Sequence, residues 1–340
     1  MVDRPFRLHM RRNLLAVLAA AGLAPAAALA QEAYPARPVR VIVPFSPGGG
    51  TDIVTRLFAQ KLSERTGQTY FVENKAGGAA GSVGSREVAA ARPDGYTIGV
   101  LGRTQMSLYE QLNGRLPYHP VNDFTWIANV TSSYFGLYVS AQSPHKSVQD
   151  LIKAAKAKPG SIRYGTAFGH GGLSHVPMEE FAQKAGIEML HVPVKGDSDS
   201  IMLLTQNEID LIVAGGGAMS FVNAGRLRLL AWLSPQRNPR LPDVPTMRDL
   251  GFPVDVSAPV GIGGPKGMKP EHVKFFEQTF KKLLADAEVQ SFMEQNYQRV
   301  DYMDSQAFTA WAQKQLPIEK EIVKRFNLDR KSTRLNSSHG

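Results

Sequence analysis

The segment Val39-Arg-Val-Ile-Val-Pro-Phe-Ser-Pro-Gly-Gly-Gly-Thr-Asp52 carries three kinds of local chemistry in succession. Its first five residues are a β-branched run of the kind that forms a parallel strand covered on both faces. Gly48, Gly49 and Gly50 follow; without Cβ atoms they let the chain turn sharply and let another molecule approach the backbone amides. Beyond Thr51 and Asp52, the apolar residues Ile53, Val54, Leu57, Phe58 and Leu62 recur at helical spacing. Strand, glycine turn and helix together set unpaired N–H groups and the positive end of a helix dipole at a strand's carboxyl end, which is a place for an anion. By themselves the glycines also fit a plain tight turn. The spacing matches neither a phosphate-binding Gly-x4-Gly-Lys-Ser/Thr loop, since no lysine follows, nor a dinucleotide Gly-x-Gly-x-x-Gly fingerprint, since Ile53 stands at the third glycine.

Outward from this segment the alternation continues. Gly67 stops the helix, Tyr70 to Glu73 reads as a second strand, and Asn74 to Gly81 is another glycine-rich loop that leads into a short helix through Arg86 to Ala91. Tyr96 to Leu101 reads as a third strand. This β-α-β-α-β order predicts a parallel, doubly wound sheet with ligands outside the strand carboxyl ends. From Ser147 the pattern restarts, with a strand at Ile162 to Gly165, the loop Thr166 to His175, a helix from Val176 to Ala185, and strands at Met189 to Val194, Ile209 to Ala214 and Leu227 to Leu233. Val254 to Ile262 reads as a strand returning to the first half. Three closing helices are expected: Pro270 to Ala285, Ala287 to Gln295, and Ser305 to Phe326, the last kinked or restarted at Pro317. The fold class is α/β in two lobes.

The chain has 340 residues, 43% of them hydrophobic, and no cysteine, so disulfides and thiolate metal sites are excluded. Four arginines precede the apolar run Leu14 to Ala24, and Ala28-Leu29-Ala30 is a small-x-small cleavage site, so residues 1–30 read as a secretory signal peptide and the mature protein as periplasmic. The general export route fits better than the twin-arginine route, because Asn13-Leu14-Leu15 matches the latter weakly. Residues 330–340 show no apolar periodicity and read as a non-native tail. The formal net charge of +9 includes +3 from the leader and +3 from the tail. The +3 left on residues 31–329 removes the case for nucleic acid that a pI near 9.6 would suggest.

The loop Tyr164 to His175 also follows a strand and opens a helix, so it offers the same free amides with the hydroxyls of Thr166 and Ser174 added. Two such loops, one per half, are expected to face each other across a cleft. His170 and His175 are five residues apart and lack an accompanying glutamate, so no metal or cofactor is expected. Lys195-Gly196-Asp197 follows a third strand and places a cation near the same cleft, unless it is a solvated turn. An enzyme on this scaffold would need a nucleophile or an acid–base pair. The candidates Asp52, His175 and Asp197 have no recognisable spacing, and Gly-x-Ser-x-Gly is absent.

The motifs Tyr34-Pro35 through Asp52, Val72-Glu-Asn-Lys-Ala-Gly77, Pro93-Asp-Gly-Tyr-Thr97, Leu116-Pro-Tyr-His-Pro-Val-Asn-Asp-Phe124, His191-Val-Pro-Val-Lys-Gly196 and Leu241-Pro-Asp-Val-Pro-Thr246 together resemble the tripartite tricarboxylate transporter receptors, the TctC/Bug group of periplasmic solute-binding proteins. The resemblance implies a Venus-flytrap fold of the type II periplasmic-binding-protein kind, with lobe 1 from residues 31–129 and 252–329 and lobe 2 from residues 130–251. It implies a monomeric, non-enzymatic receptor that takes a small carboxylate between its lobes and delivers it to membrane permease subunits. A sensory partner of a membrane kinase is the other reading. Carried onto this chain, the ligand-binding residues are Phe45, Ser46, Gly48, Gly49, Gly50, Thr51 and Asp52, then Thr166, Ala167, Gly169, Gly171, Gly172 and His175, with Lys195 and Asp197. Val194, Pro259, Val260 and Ala214-Gly-Gly-Gly217 depart from the usual pattern and imply a smaller, uncharged pocket wall that leaves room for a bulky or aromatic acid.

Overall fold

The computed structural model describes residues 34–77, 81–112, 114–166, 173–194, 196–256 and 259–328; the expected leader and C-terminal tail lie outside the described residues. The first half follows the alternation read from the sequence. Strand β1 (Val39–Val43) leads to helix α1 (Gly50–Thr66), β2 (Tyr70–Asn74), α2 (Ser82–Ala89), β3 (Thr97–Leu101), α3 (Arg103–Gln111) and the long β4 (Phe124–Ser133). Two residues later β5 (Gly136–Ser140) opens a second sheet. It continues through α4 (Val148–Ala157), β6 (Arg163–Thr166), α5 (His175–Ala185), β7 (Leu190–Pro193), α6 (Asp197–Thr205), β8 (Leu211–Ala214), α7 (Met219–Asn223) and β9 (Leu227–Trp232). The chain then returns to the first sheet with β10 (Pro259–Pro265), α8 (Pro270–Leu284), α9 (Ala287–Gln295), β11 (Gln298–Met303) and α10 (Ser305–Arg325).

The first sheet has the order β11-β4-β10-β3-β1-β2 and the second β7-β6-β8-β5-β9, both within one compact unit that begins at Arg37. Strands β1, β2 and β3 are parallel as expected, but β10 runs antiparallel to both β3 and β4, and β5 runs antiparallel to β8 and β9. Both sheets are therefore mixed. The antiparallel members arise where the chain crosses between sheets, since a strand entering from the other sheet needs no helical crossover to reverse direction.

Burial follows the two-residue period of the strands. In the second sheet Leu137, Val139, Leu211 and Val213 pack on one face with Phe181, while Tyr138, Ile212 and Ala214 pack on the other with Leu204. In the first sheet Ile42, Leu101 and Trp126 share a core with Phe308 of α10, whose ring meets Trp126 edge-on at 4.8 Å.

Three expectations need correction. The returning strand starts at Pro259, five residues later than its predicted start at Val254. Strand β11 was not foreseen, because Gln-Arg-Val-Asp-Tyr-Met at the sheet edge buries only Gln298 fully and so lacks apolar alternation. Helix α10 runs without a restart through Pro317, whose missing N–H costs one backbone bond while the flanking apolar residues still pack.

Candidate functional site

A cavity of about 590 Å³ lies between the carboxyl ends of the two sheets. It is bordered by the turns after β1, β2 and β3 from the first sheet, by those after β7 and β8 from the second, and by Ser133 and Phe135 where the chain crosses. Its walls share one device. Among the described helices of eight or more residues, those whose N-cap is glycine are α1 (Gly49), α2 (Gly81), α3 (Gly102) and α6 (Gly196), and each of these glycines lines the cavity. Helices α4, α9 and α10, which start elsewhere, are capped by the side chains of Ser147, Asp286 and Asp304. A glycine cap leaves the first-turn N–H groups to another acceptor, and the dipole makes that acceptor preferably an anion.

The turn after β1 is held rigidly. Gly48 takes φ +80°, the left-handed region that favours glycine, and its N–H donates to Asp52 Oδ2 at 2.9 Å. The same oxygen accepts from Arg56 Nε at 3.0 Å, and Oδ1 accepts from Asn74 Nδ2 at 2.8 Å, which also reaches the Phe45 carbonyl at 3.0 Å. Burial alone would raise the Asp52 pKa, but the bonds from Arg56, Gly48 and Asn74 outweigh it and hold the carboxyl below its ordinary value. Asp52 is thus a brace for the loop. The N–H of Gly48 is engaged by that brace, so the amides open to a guest begin one residue later than expected. A Cβ on Gly49 would meet nothing nearer than the Ser46 carbonyl at 3.8 Å. The second glycine loop packs directly beneath: a Cβ on Gly81, at φ +76°, would stand 2.4 Å from the Pro44 carbonyl.

From the second sheet, α6 brings Asp197 to the wall. Its Oδ2 accepts from the Gly215 N–H at 3.1 Å, whereas Oδ1 is sealed from water and has no partner among the described residues. Burial pushes this carboxyl up to about 6, and the Gly215 N–H offsets only part of that. Asp199 lines the cavity as well. The expectation of an uncharged wall is therefore corrected: the glycines 215–217 lack side chains, and the acids beside them come from α6.

Phe45, Ser46, Gly49, Gly50, Thr51, Asp52 and Asp197 meet at this one cavity. Thr166 and His175 are buried at the two ends of the second loop and are occupied. The Thr166 hydroxyl lies 2.7 Å from His191 Nε2, and the His175 ring packs tilted against His191 with centroids 4.0 Å apart, while His175 Nε2 lies 3.6 Å from Glu179 Oε1. Ala167, Gly169, Gly171, Gly172 and Lys195 lie outside the described residues. The residues just after the second loop, Leu173 and Val176, do line the cavity. Sequence reasoning missed Arg103, Gln105 and Glu319 of the same wall. Arg103 was findable, since Leu101-Gly102-Arg103 repeats the strand, glycine and helix order; Glu319 was not, because it arrives from the last helix.

With this geometry in place, comparison with known proteins gives a consistent answer. The sequence model of the tripartite tricarboxylate transporter family receptor, TctC, matches residues 54–328. The chain is 35% identical over 325 residues to the UPF0065 protein in the gbd 5′ region of Cupriavidus necator, covering 94% of this chain and 96% of that one. In three dimensions it is similar to a solved periplasmic transporter, with a TM-score of 0.80, 32% identity, and coverage of 87% of this chain and 99% of that one. It is also similar to Rpa4515 of R. palustris, solved with adipate, with a TM-score of 0.78, 26% identity, and coverage of 86% and 97%.

Proposed function

We propose, because this chain belongs to the tripartite tricarboxylate transporter receptor family, that it is an exported receptor which captures a small carboxylate in the cavity between its sheets and hands it to the membrane subunits of such a transporter. The observation that carries this reading is the set of glycine-capped helix starts around one cavity. A carboxylate seated there accepts first-turn N–H bonds that no side chain among the described residues takes, the cap N–H of Gly102 itself being held by Gln105 Oε1 at 2.9 Å, and charge-assisted bonds of this type contribute roughly 1.5–3 kcal/mol each. The relative solved with adipate supports a carboxylate as the guest.

The reading is of a binder. Asp52 and His175, two of the candidates for acid–base work, are each engaged by their own neighbours. The two sheets are joined by the short crossing after β4 and by the segment between β9 and β10. Rotation about these crossings would let the lobes close over the guest, with their boundaries a few residues later than the expected 130 and 252, since β4 runs to Ser133 in the first sheet and Val254 and Val256 pack in the core of the second.

A thermal-shift screen of mono-, di- and tricarboxylates tests the proposal, since a guest that binds only the folded state raises the melting temperature by mass action. At least one small carboxylate is expected to raise it by several degrees. A flat response across the carboxylates, with a clear shift from a cationic or neutral solute, would overturn the proposal.

A further inference from the structure

Arg103 is the sole cationic side chain among the described residues that line the cavity. It is the first residue of α3, at the end of β3, and β3 lies beside β1 with Gly99 opposite Ile42. The two strands lie about one strand spacing, ~4.8 Å, apart, and the turns that lead from them to the starts of α1 and α3 border the same cavity. The arginine is fixed from an unexpected quarter. Its Nε donates to Oε1 of Glu319 on α10, a carboxylate whose side chain is only 1% exposed and whose Oε1 also accepts from Gln315 Nε2 at 2.6 Å.

That pair accounts for one edge of the guanidinium. A guanidinium often meets a carboxylate through two parallel N–H bonds, as Arg163 does with Asp210 through Nε and Nη2, and where Arg56 and Arg237 use Nε alone their terminal nitrogens bond Asn74 and the Pro242 carbonyl. Arg103 makes a single contact instead. Among the described residues neither Nη1 nor Nη2 donates a hydrogen bond, and neither is sealed from water. A pair built solely to tie α10 to α3 would have no reason to leave the fork open in a cavity wall.

We propose that Arg103 is a second anion anchor of this cavity and sets its specificity, with Glu319 and Gln315 holding the guanidinium by Nε so that its terminal nitrogens receive an anionic group of the guest. This rests on the carboxylate reading given above, in which the first anionic group sits at the start of α1. The acids Asp197 and Asp199 enter from the second sheet and repel a second negative end, which directs it to Arg103. Glu319 neutralises part of the arginine's charge and so moderates the affinity.

The test is calorimetry with acids matched in length, hexanoate against adipate and butyrate against succinate. The native protein is expected to favour the better diacid about tenfold or more over its monoacid. In the double variant Arg103→Gln/Glu319→Gln, which leaves no orphaned charge in the wall, that ratio should collapse toward one. Arg103→Lys should keep part of it, because a point charge replaces a fork. Glu319→Gln alone should tighten diacid binding about threefold or more, and the same change made in an Arg103→Gln background should not, whereas a bare charge effect in the wall would act in both. Should the double variant not fold, as judged by circular dichroism, the Lys variant decides: an unchanged ratio there overturns the anchor. Equal affinity for monoacid and diacid in the native protein also overturns it and leaves the receptor reading intact. Binding of none of the four acids by the native protein overturns this proposal, and the carboxylate reading falls with it only if the broader screen above is also flat.

Discussion

Two aspartates stand in the first turns of two helices on opposite walls of the same cavity, and they behave differently. Asp52 in α1 accepts from Gly48, Arg56 and Asn74 and is held below its ordinary pKa; among the described residues Asp197 in α6 accepts from Gly215 alone, and it is pushed up to about 6. The difference teaches that an acid at a helix start has no fixed meaning. With a full set of donors it stiffens a turn, and with one donor it remains a group waiting for a partner. The first wall is thereby built in advance, while the second keeps unspent interaction capacity.

The contrast can be broken from either side. The largest effect is expected from Asp52→Ala, which removes the buried carboxylate that ties Gly48, Arg56 and Asn74 together; Arg56 and Gly48 are exposed and regain water, so urea unfolding should show a loss of about 2–3 kcal/mol from the three lost bonds. The stability that Asp52 supplies is present above the ordinary carboxylate range and fades as the pH falls through its lowered pKa. Wild type and variant should therefore converge in acid. Next comes Gly49→Val. The backbone there is extended at φ −76° and the space beside it is open, so melting of the unliganded protein should move by no more than about 2 °C. Carboxylate affinity by calorimetry should nonetheless fall about 100-fold as the side chain fills the guest's place. The smallest effect is Asp197→Asn. A carboxyl with a raised folded pKa favours the fold below about pH 4 and penalises it as the pH climbs through 6. The variant should be about 1–2 kcal/mol more stable than wild type at pH 8, with the gap closing by pH 4. A variant less stable than wild type at pH 8 would mean that the Asp197 carboxylate is already partnered, and the contrast would be lost.

Much of this arrangement was legible in the sequence because it is local. The β-branched run at Val39, the glycines at 48–50 and the helical periodicity after Thr51 specify a strand, a turn and a helix within three turns of chain. The brace on Asp52 was not legible, since its partner Asn74 lies 22 residues away and nothing in Val72-Glu-Asn-Lys marks that side chain as a donor to another loop. Arg103 and Glu319 were hidden for a stronger form of the same reason, being 216 residues apart. Edge strand β11 escaped because Gln298-Arg-Val-Asp-Tyr-Met303 lacks the apolar and polar alternation that a half-buried strand usually shows. The general rule is that elements written by nearest neighbours can be read, whereas side chains that meet only after folding cannot.

The order of strands also has a consequence for how the molecule comes into being. All five strands of the second sheet come from one uninterrupted span, residues 136–232, but β10 inserts between β3 and β4 of the first sheet from well over a hundred residues downstream. As the chain emerges in N-to-C direction, the later sheet can assemble while the earlier one still has a gap at its centre. A nascent chain released before residue 259 would carry a finished half and an open seam, and it would be a natural substrate for quality-control proteases.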